Sequence, residues 1–131
     1  MRSSKTMSTE LWKLAAPATS LLKRPVFLVL PKRVCELYVH FERNDGRWSR
    51  FCIQFSGVEA FKCTHLTSCD TEMLKAAYGK LMGLADTPWL AEVRQTYNKR
   101  MTSAKELQHL MICFESGPCY EFICMDYALF F

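Results

Sequence analysis

The sequence predicts one α+β domain: an antiparallel sheet of about six strands, in the order β-β-β-β-α-α-β-β, with two helices packed on one face. Two kinds of pattern carry this expectation. Runs of alternating apolar and polar residues flank clear turn signals, and two helical stripes lie together between the hairpins. The chain has 131 residues, 50% of them hydrophobic and 23% charged, which suits a single globular unit with its own core.

Residues 1–24 read as a basic N-terminal arm, either disordered or packed on the body, because residues 1–9 are polar and Pro17 interrupts any longer helix. The domain proper is 25–131. Val26–Leu30 is a continuous apolar run fenced by Pro25 and Pro31, which predicts a short buried strand. From Val34 to Arg43 the pattern alternates, with Cys35, Leu37, Val39 and Phe41 on one face. Asn44-Asp45-Gly46 signals a turn, and Trp48–Phe55 alternates again. A two-residue loop would set Phe41 against Arg50. A three-residue loop instead pairs Val39 with Phe51, Leu37 with Ile53 and Cys35 with Phe55, and is the predicted one.

Val58–Leu66 continues as a third alternating strand. Asp70–Met82 then places Met73, Leu74, Ala77, Tyr78 and Leu81 on one helical stripe, with Gly83 as its stop. Thr87 caps the second helix and Pro88 opens it, with Trp89, Leu90, Val93 and Tyr97 as the buried stripe. Leu107–Glu115 and Cys119–Tyr127 form a second hairpin around Ser116-Gly117-Pro118, and pairing Glu115 with Cys119 sets His109 opposite Met125. Its core face is Leu110, Ile112, Phe114, Tyr120, Phe122 and Cys124. The apolar tail, Ala128–Phe131, either extends the last strand or is a sticky terminus.

Charge and cysteine content narrow the function classes. Residues 1–33 carry seven basic side chains against Glu10 alone, while the rest of the chain is near neutral. The seven cysteines are an odd number placed mostly in strand-like runs, which predicts buried thiols in a reducing, cytoplasmic setting rather than a disulfide framework. A secretory leader is disfavoured because Pro17, Thr19 and Ser20 dilute its apolar stretch. No run approaches the ~20 apolar residues that span a bilayer.

Candidate chemistry is sparse. Cys63, His65 and Cys69 lack a fourth ligand in a zinc-like spacing, so no metal or cofactor is expected. Cys119, at the mouth of a turn, is the candidate nucleophile, but the predicted hairpin puts His109 ~20 Å away, too far to act as its base. Arg43, Arg47, Trp48 and Arg50 offer a surface for nucleic acid, yet Glu36, Glu42 and Asp45 are interleaved with them and disfavour a phosphate groove. The reverse face of the second hairpin is apolar at Met111, Cys113, Ile123 and Met125. If the helices cover only the other side, that face is a partner-binding or self-associating surface. The expectation is therefore a non-enzymatic protein-binding module, with a Cys119 enzyme or an RNA-binding domain using the basic arm as alternatives.

Gly57-Val-Glu-Ala-Phe-Lys-Cys-Thr64, Asp86-Thr-Pro-Trp-Leu90 and Glu115-Ser-Gly-Pro-Cys-Tyr-Glu-Phe-Ile-Cys124 resemble segments of small uncharacterised bacterial α+β proteins. Some of these are immunity-like, neutralising a toxin by binding it. The resemblance implies a protein partner and no catalytic residues.

Overall fold

Nine strands and one complete helix make up the computed structural model, which describes residues 7–14, 25–43, 45–65, 68, 69, 72, 77–98, 106–114 and 118–131. The strands are β1 (Met7–Lys13), β2 (Val26–Leu30), β3 (Val34–Glu42), β4 (Trp48–Ser56), β5 (Ala60–Thr64), β6 (Lys80–Ala85), β7 (Gln108–Cys113), β8 (Cys119–Cys124) and β9 (Asp126–Phe130), and the helix is α1 (Pro88–Asn98). Antiparallel pairing orders them as a five-stranded sheet, β1-β6-β7-β8-β5, and a four-stranded sheet, β2-β3-β4-β9. The expected α+β architecture, one sheet of about six strands with two helices on one face, is thereby corrected to a mostly-β pair of sheets.

The correction has a physical reason. Each sheet buries its apolar face against the other, so a sheet covers the core face that helices were expected to cover. Leu37, Val39, Phe51, Ile53 and Phe55 from one side meet Leu110, Ile112, Tyr120 and Phe122 from the other. Phe55 and Phe122 stack with ring centroids 3.8 Å apart. Burying each such side chain contributes roughly 1.5–3 kcal/mol. The helix is left to cover the opposite face of the five-stranded sheet.

The first hairpin has the predicted register, with Val39 opposite Phe51, Leu37 opposite Ile53 and Cys35 opposite Phe55. Gly46 supplies the left-handed residue of its turn at φ 83°. In α1, Leu90 N donates to Thr87 Oγ1 at 3.2 Å and Ala91 N to Thr87 O at 3.0 Å, so the cap forms as read. The second hairpin departs by two residues: Cys113 faces Cys119 and His109 faces Ile123. A slip of two keeps every side chain on its face, so alternation alone does not detect it.

Two segments expected to be loose or helical are strands. Residues 7–13 of the arm form β1, which pairs with β6 through a bulge between Glu10 and Trp12, and Trp12 meets Phe51 at 4.7 Å between centroids. Residues 15–24 lie outside the described residues. So does most of the expected helix over 70–82, whose last residues belong to β6. Gly83, expected to stop that helix, sits within the strand. The tail forms β9 beside β4, with Tyr127 and Leu129 packed on the core.

The chain passes between the sheets after β1, after β4 and after β8, and the last two crossings lie side by side. β4 leads into β5 through 57–59, and β8 leads into β9 at Met125. Met125 N donates to Ser56 O at 3.1 Å and Glu59 N to Ile123 O at 2.8 Å, tying the two crossings together.

Candidate functional site

Cys119 is joined to Cys113 by a disulfide across β7 and β8, with Cα atoms 4.1 Å apart and both side chains fully buried. A sulfur so bonded is not a thiolate nucleophile, which removes the residue on which the cysteine-enzyme reading rested. The expectation of seven thiols is corrected here as well: Cys35, Cys52, Cys63, Cys69 and Cys124 are the ones outside a disulfide.

The predicted partner face is also corrected. Met111 and Cys113 are buried in a cluster with Ala77 and Met82, and Ile123 is buried with Leu90, Tyr97 and Leu107 beneath α1. Met125 is half-buried at the sheet crossing. Helix and connector cover this face because the second sheet has already taken the other one. Arg43, Arg47, Trp48 and Arg50 are all exposed at the end of the first hairpin, but Trp48 lies opposite Glu42 and Asp45 stays in the turn, so the mixed charge persists in space. Cys63 and His65 are exposed, and Cys69 Sγ lies 3.5 Å from Thr64 O.

Burial holds the thiols in their protonated form. It pushes Cys124 up from 9.0 to about 12, with Asp126 and Cys35 adding to the effect. Burial also raises Cys35 and Cys52, and partial desolvation raises Cys63 on its exposed strand. Because the folded chain holds these protons more tightly than the unfolded chain, their stabilisation is present below pH 9 and lost as pH rises toward 12. Urea denaturation should show stability falling across that window, by on the order of 4 kcal/mol for Cys124 alone. A Cys124→Ala variant should show a shallower alkaline loss.

A buried polar chain joins α1 to the sheet beneath it. Thr87 Oγ1 lies 2.7 Å from His109 Nδ1, and His109 Nε2 lies 2.9 Å from Glu121 Oε1. With the Thr87 hydroxyl donating to Nδ1 and Nε2–H donating to the carboxylate, hydrogen bonds run continuously from Leu90 N–H to Glu121. Trp89 packs edge-on against the imidazole, and Lys62 Nζ sits 4.2 Å from the centroid of the Trp89 ring. A hydroxyl, an imidazole and a carboxylate in series are the parts of a nucleophile relay. Thr87 is only 6% exposed, however, and its oxygen already accepts from Leu90. The chain fastens the helix N-terminus to the sheet.

The open part of the molecule lies between the edges of the two sheets. Val29 shares the inward face of β2 with Phe27, yet Val29 is 61% exposed because the sheets do not close there. Phe27 is held by Phe61 of β5 at 5.2 Å. The opening is a groove of about 240 Å³ lined by Val29, Val34, Cys35, Val58, Ala60 and Phe61, with Arg33 and Glu59 at its rim. Past that rim a second cavity of about 490 Å³ runs along α1, lined by Glu92, Val93, Thr96 and Tyr97. Arg33 donates to Glu59, and the Tyr97 hydroxyl and Glu59 together hold its guanidinium charged.

The turn before the rim is strained. Lys32 and Arg33 both have left-handed backbones, φ 66° and 61°, a conformation that non-glycine residues adopt at a cost of order 1–3 kcal/mol each. Val58 N donates to Arg33 O at 2.9 Å and fixes the turn in place. Nothing in the local sequence Pro31-Lys32-Arg33 announces this. The prolines on both sides of β2 do carry a signal, since proline flanks edge strands more readily than central ones. The chain matches no protein-family model, no curated protein and no solved structure.

Proposed function

We propose that this chain is a small non-enzymatic protein-binding module, and that it binds by accepting an extended segment of its partner along the open edge of β2. One observation carries this reading. Of the four sheet edges, β1 holds Glu10 and Lys13, β5 holds Lys62 and β9 holds Asp126, whereas β2 (Val26-Phe-Leu-Val-Leu30) holds no charge. Val26 and Leu28 are 40% exposed and Val29 61%. Charged residues on an edge strand discourage pairing with other chains, and β2 lacks them. Alternate backbone N–H and C=O groups on this edge point away from β3, and among the described residues no strand pairs with them. Strand addition uses those groups for affinity and side-chain pockets for selectivity.

The groove beside Val29 supplies such a pocket. At about 240 Å³ it falls below the roughly 300–1,000 Å³ typical of small-molecule sites, and it suits one apolar side chain. An immunity-like role, in which the bound segment belongs to a toxin, is the form of this reading that the sequence resemblance favours. Its setting is the cytoplasm, where the five thiols stay reduced and the buried disulfide is out of reach of soluble thiols. Among the described residues no helix is long and apolar enough to cross a membrane.

The test is an NMR titration of the full chain with a synthetic peptide carrying the core Val-Thr-Val-Thr-Val. Shifted resonances and slowed amide exchange should be confined to Val26–Leu30 and the groove residues Ala60 and Phe61. Leu28→Lys should abolish them while changing stability by less than about 0.5 kcal/mol, as expected for an exposed position. Perturbations centred elsewhere, or an unchanged response in Leu28→Lys, would overturn the reading.

A further inference from the structure

We infer that Cys69, Cys119 and Cys113 form a thiol–disulfide exchange site, in which Cys69 is the thiol that opens the Cys113–Cys119 bridge to a dithiol outside the molecule. The inference is independent of the docking edge at β2 and comes from where the sulfurs lie. Of the five cysteines outside a disulfide, only Cys69 packs on the buried cluster that holds Cys113 and Cys119. Cys35 and Cys124 are buried between the two sheets, and Cys52 belongs to the four-stranded sheet. Cys63 precedes Thr64 in β5 and so points to the opposite face of its strand.

Register orders the three sulfurs. The Cys69 thiol donates to Thr64 O at 3.5 Å, Thr64 is opposite Cys119, and Cys119 is opposite Cys113. Cys69 is thus held on the β5 side of the bridge, nearest Cys119, with Cys113 beyond. On the other side, Gly79 N donates to Cys113 O at 2.8 Å and the buried Ala77 closes the cluster. Cys113 and Cys119 are fully buried, whereas Cys69 is half-buried. The exchange balances within the chain. As the Cys69 thiolate attacks Cys119 Sγ, the Cys69–Cys119 bond forms and the Cys119–Cys113 bond breaks. Cys113 leaves as a thiolate and takes up a proton, replacing the one Cys69 released, so no oxidant or reductant is consumed. The new bridge has a half-buried sulfur at Cys69, and a dithiol attacks there. Its first sulfur displaces the Cys119 thiolate and forms a mixed disulfide with Cys69. Its second sulfur then closes on the first and releases Cys69, leaving the chain reduced by two electrons and two protons and the dithiol oxidised to a cyclic disulfide.

Dithiothreitol is the probe, and the full chain is the substrate. Its reduction of the bridge, followed by mass spectrometry without denaturant, should slow at least ~tenfold in Cys69→Ser and stay unchanged in Cys63→Ser. In Cys113→Ser, oxidised glutathione should close a Cys69–Cys119 bridge, and in Cys119→Ser a Cys69–Cys113 bridge should close at least ~tenfold more slowly. The wild type, held at about pH 8 to populate thiolates, then acid-quenched and mapped, should contain a minor Cys69–Cys119 bridge. That measurement needs no substitution and decides the matter where a variant does not fold. An unchanged reduction rate in Cys69→Ser overturns the site, as does a failure of both the wild type and Cys113→Ser to bridge Cys69 to Cys119. Equally fast bridging of Cys69 to Cys113 overturns the assignment of Cys119 as the sulfur attacked.

Discussion

Gly57→Ala is expected to cost roughly 3 kcal/mol of stability, by adding a strain of about 1 kcal/mol to a packing clash of about 1–3 kcal/mol. Gly57 sits where β4 turns toward β5, with φ +63°. A Cβ placed there would lie 2.5 Å from Met125 Cγ and 2.7 Å from Met125 Cβ. Neither side yields easily, because the two crossings are bonded to each other through Met125 N to Ser56 O and Glu59 N to Ile123 O. Shortening the neighbour to alanine keeps its Cβ, so Met125→Ala should not rescue the variant fully. Gly46→Ala separates the two contributions, since Gly46 has φ +83° but nothing within 4 Å of the added carbon. It should lose only the strain, about 1 kcal/mol. Chemical denaturation of both variants reads the difference, and equal losses would mean that the crossing at Met125 is free to move.

The same crossing shows what the sequence reveals and what it hides. Ser56-Gly57 is legible as a turn, but local pattern does not say that the next strand joins another sheet. Features set by neighbours in the chain were readable: the Val39–Phe51 register, the Thr87 cap, and the core face of Leu110, Ile112 and Phe122. Features set by distant partners were not. β1 becomes a strand because β6 pairs with it from far along the chain. Lys80–Ala85 is too short an apolar run for its period to separate helix from strand. β7 and β8 keep the same faces in either register, so alternation does not choose the one in which Cys113 meets Cys119.

The candidate site was hidden for related reasons. An uncharged apolar pentapeptide such as Val26–Leu30 reads as a buried central strand, yet it forms an edge whose inward-facing Val29 remains exposed. The expected partner face had the right composition, and Met111 and Ile123 were correctly placed on one side of the hairpin. What local pattern did not show was that α1 and the 77–79 segment would cover them. Sequence proximity presents His109 only as a base for Cys119. Its actual partners, Thr87 and Glu121, come together through the cap of α1 and the cross-strand diagonal.

His109→Leu is expected to lose about 2–4 kcal/mol, because it strands a carboxylate in a site built around an imidazole. Glu121 is 9% exposed and has Met111 and Lys62 as its register neighbours, with Lys62 placed over Trp89. Without His109 the carboxylate loses its hydrogen-bond donor, and the Thr87 hydroxyl loses its acceptor while still capping Leu90. Adding Glu121→Leu removes the stranded charge, so the double variant should be about 1–2 kcal/mol more stable than His109→Leu alone, even though it carries one more substitution. If the second substitution lowers stability further, the two side chains are not energetically coupled and the polar chain does not act as a unit. The effect should also reach the groove. α1 is fastened at Thr87 and delivers Tyr97, near its other end, to Arg33. Loosening the fastened end should therefore disturb the Arg33–Glu59 rim and weaken binding of the Val-Thr-Val-Thr-Val peptide, whereas a helix held by its apolar stripe alone would leave that binding unchanged.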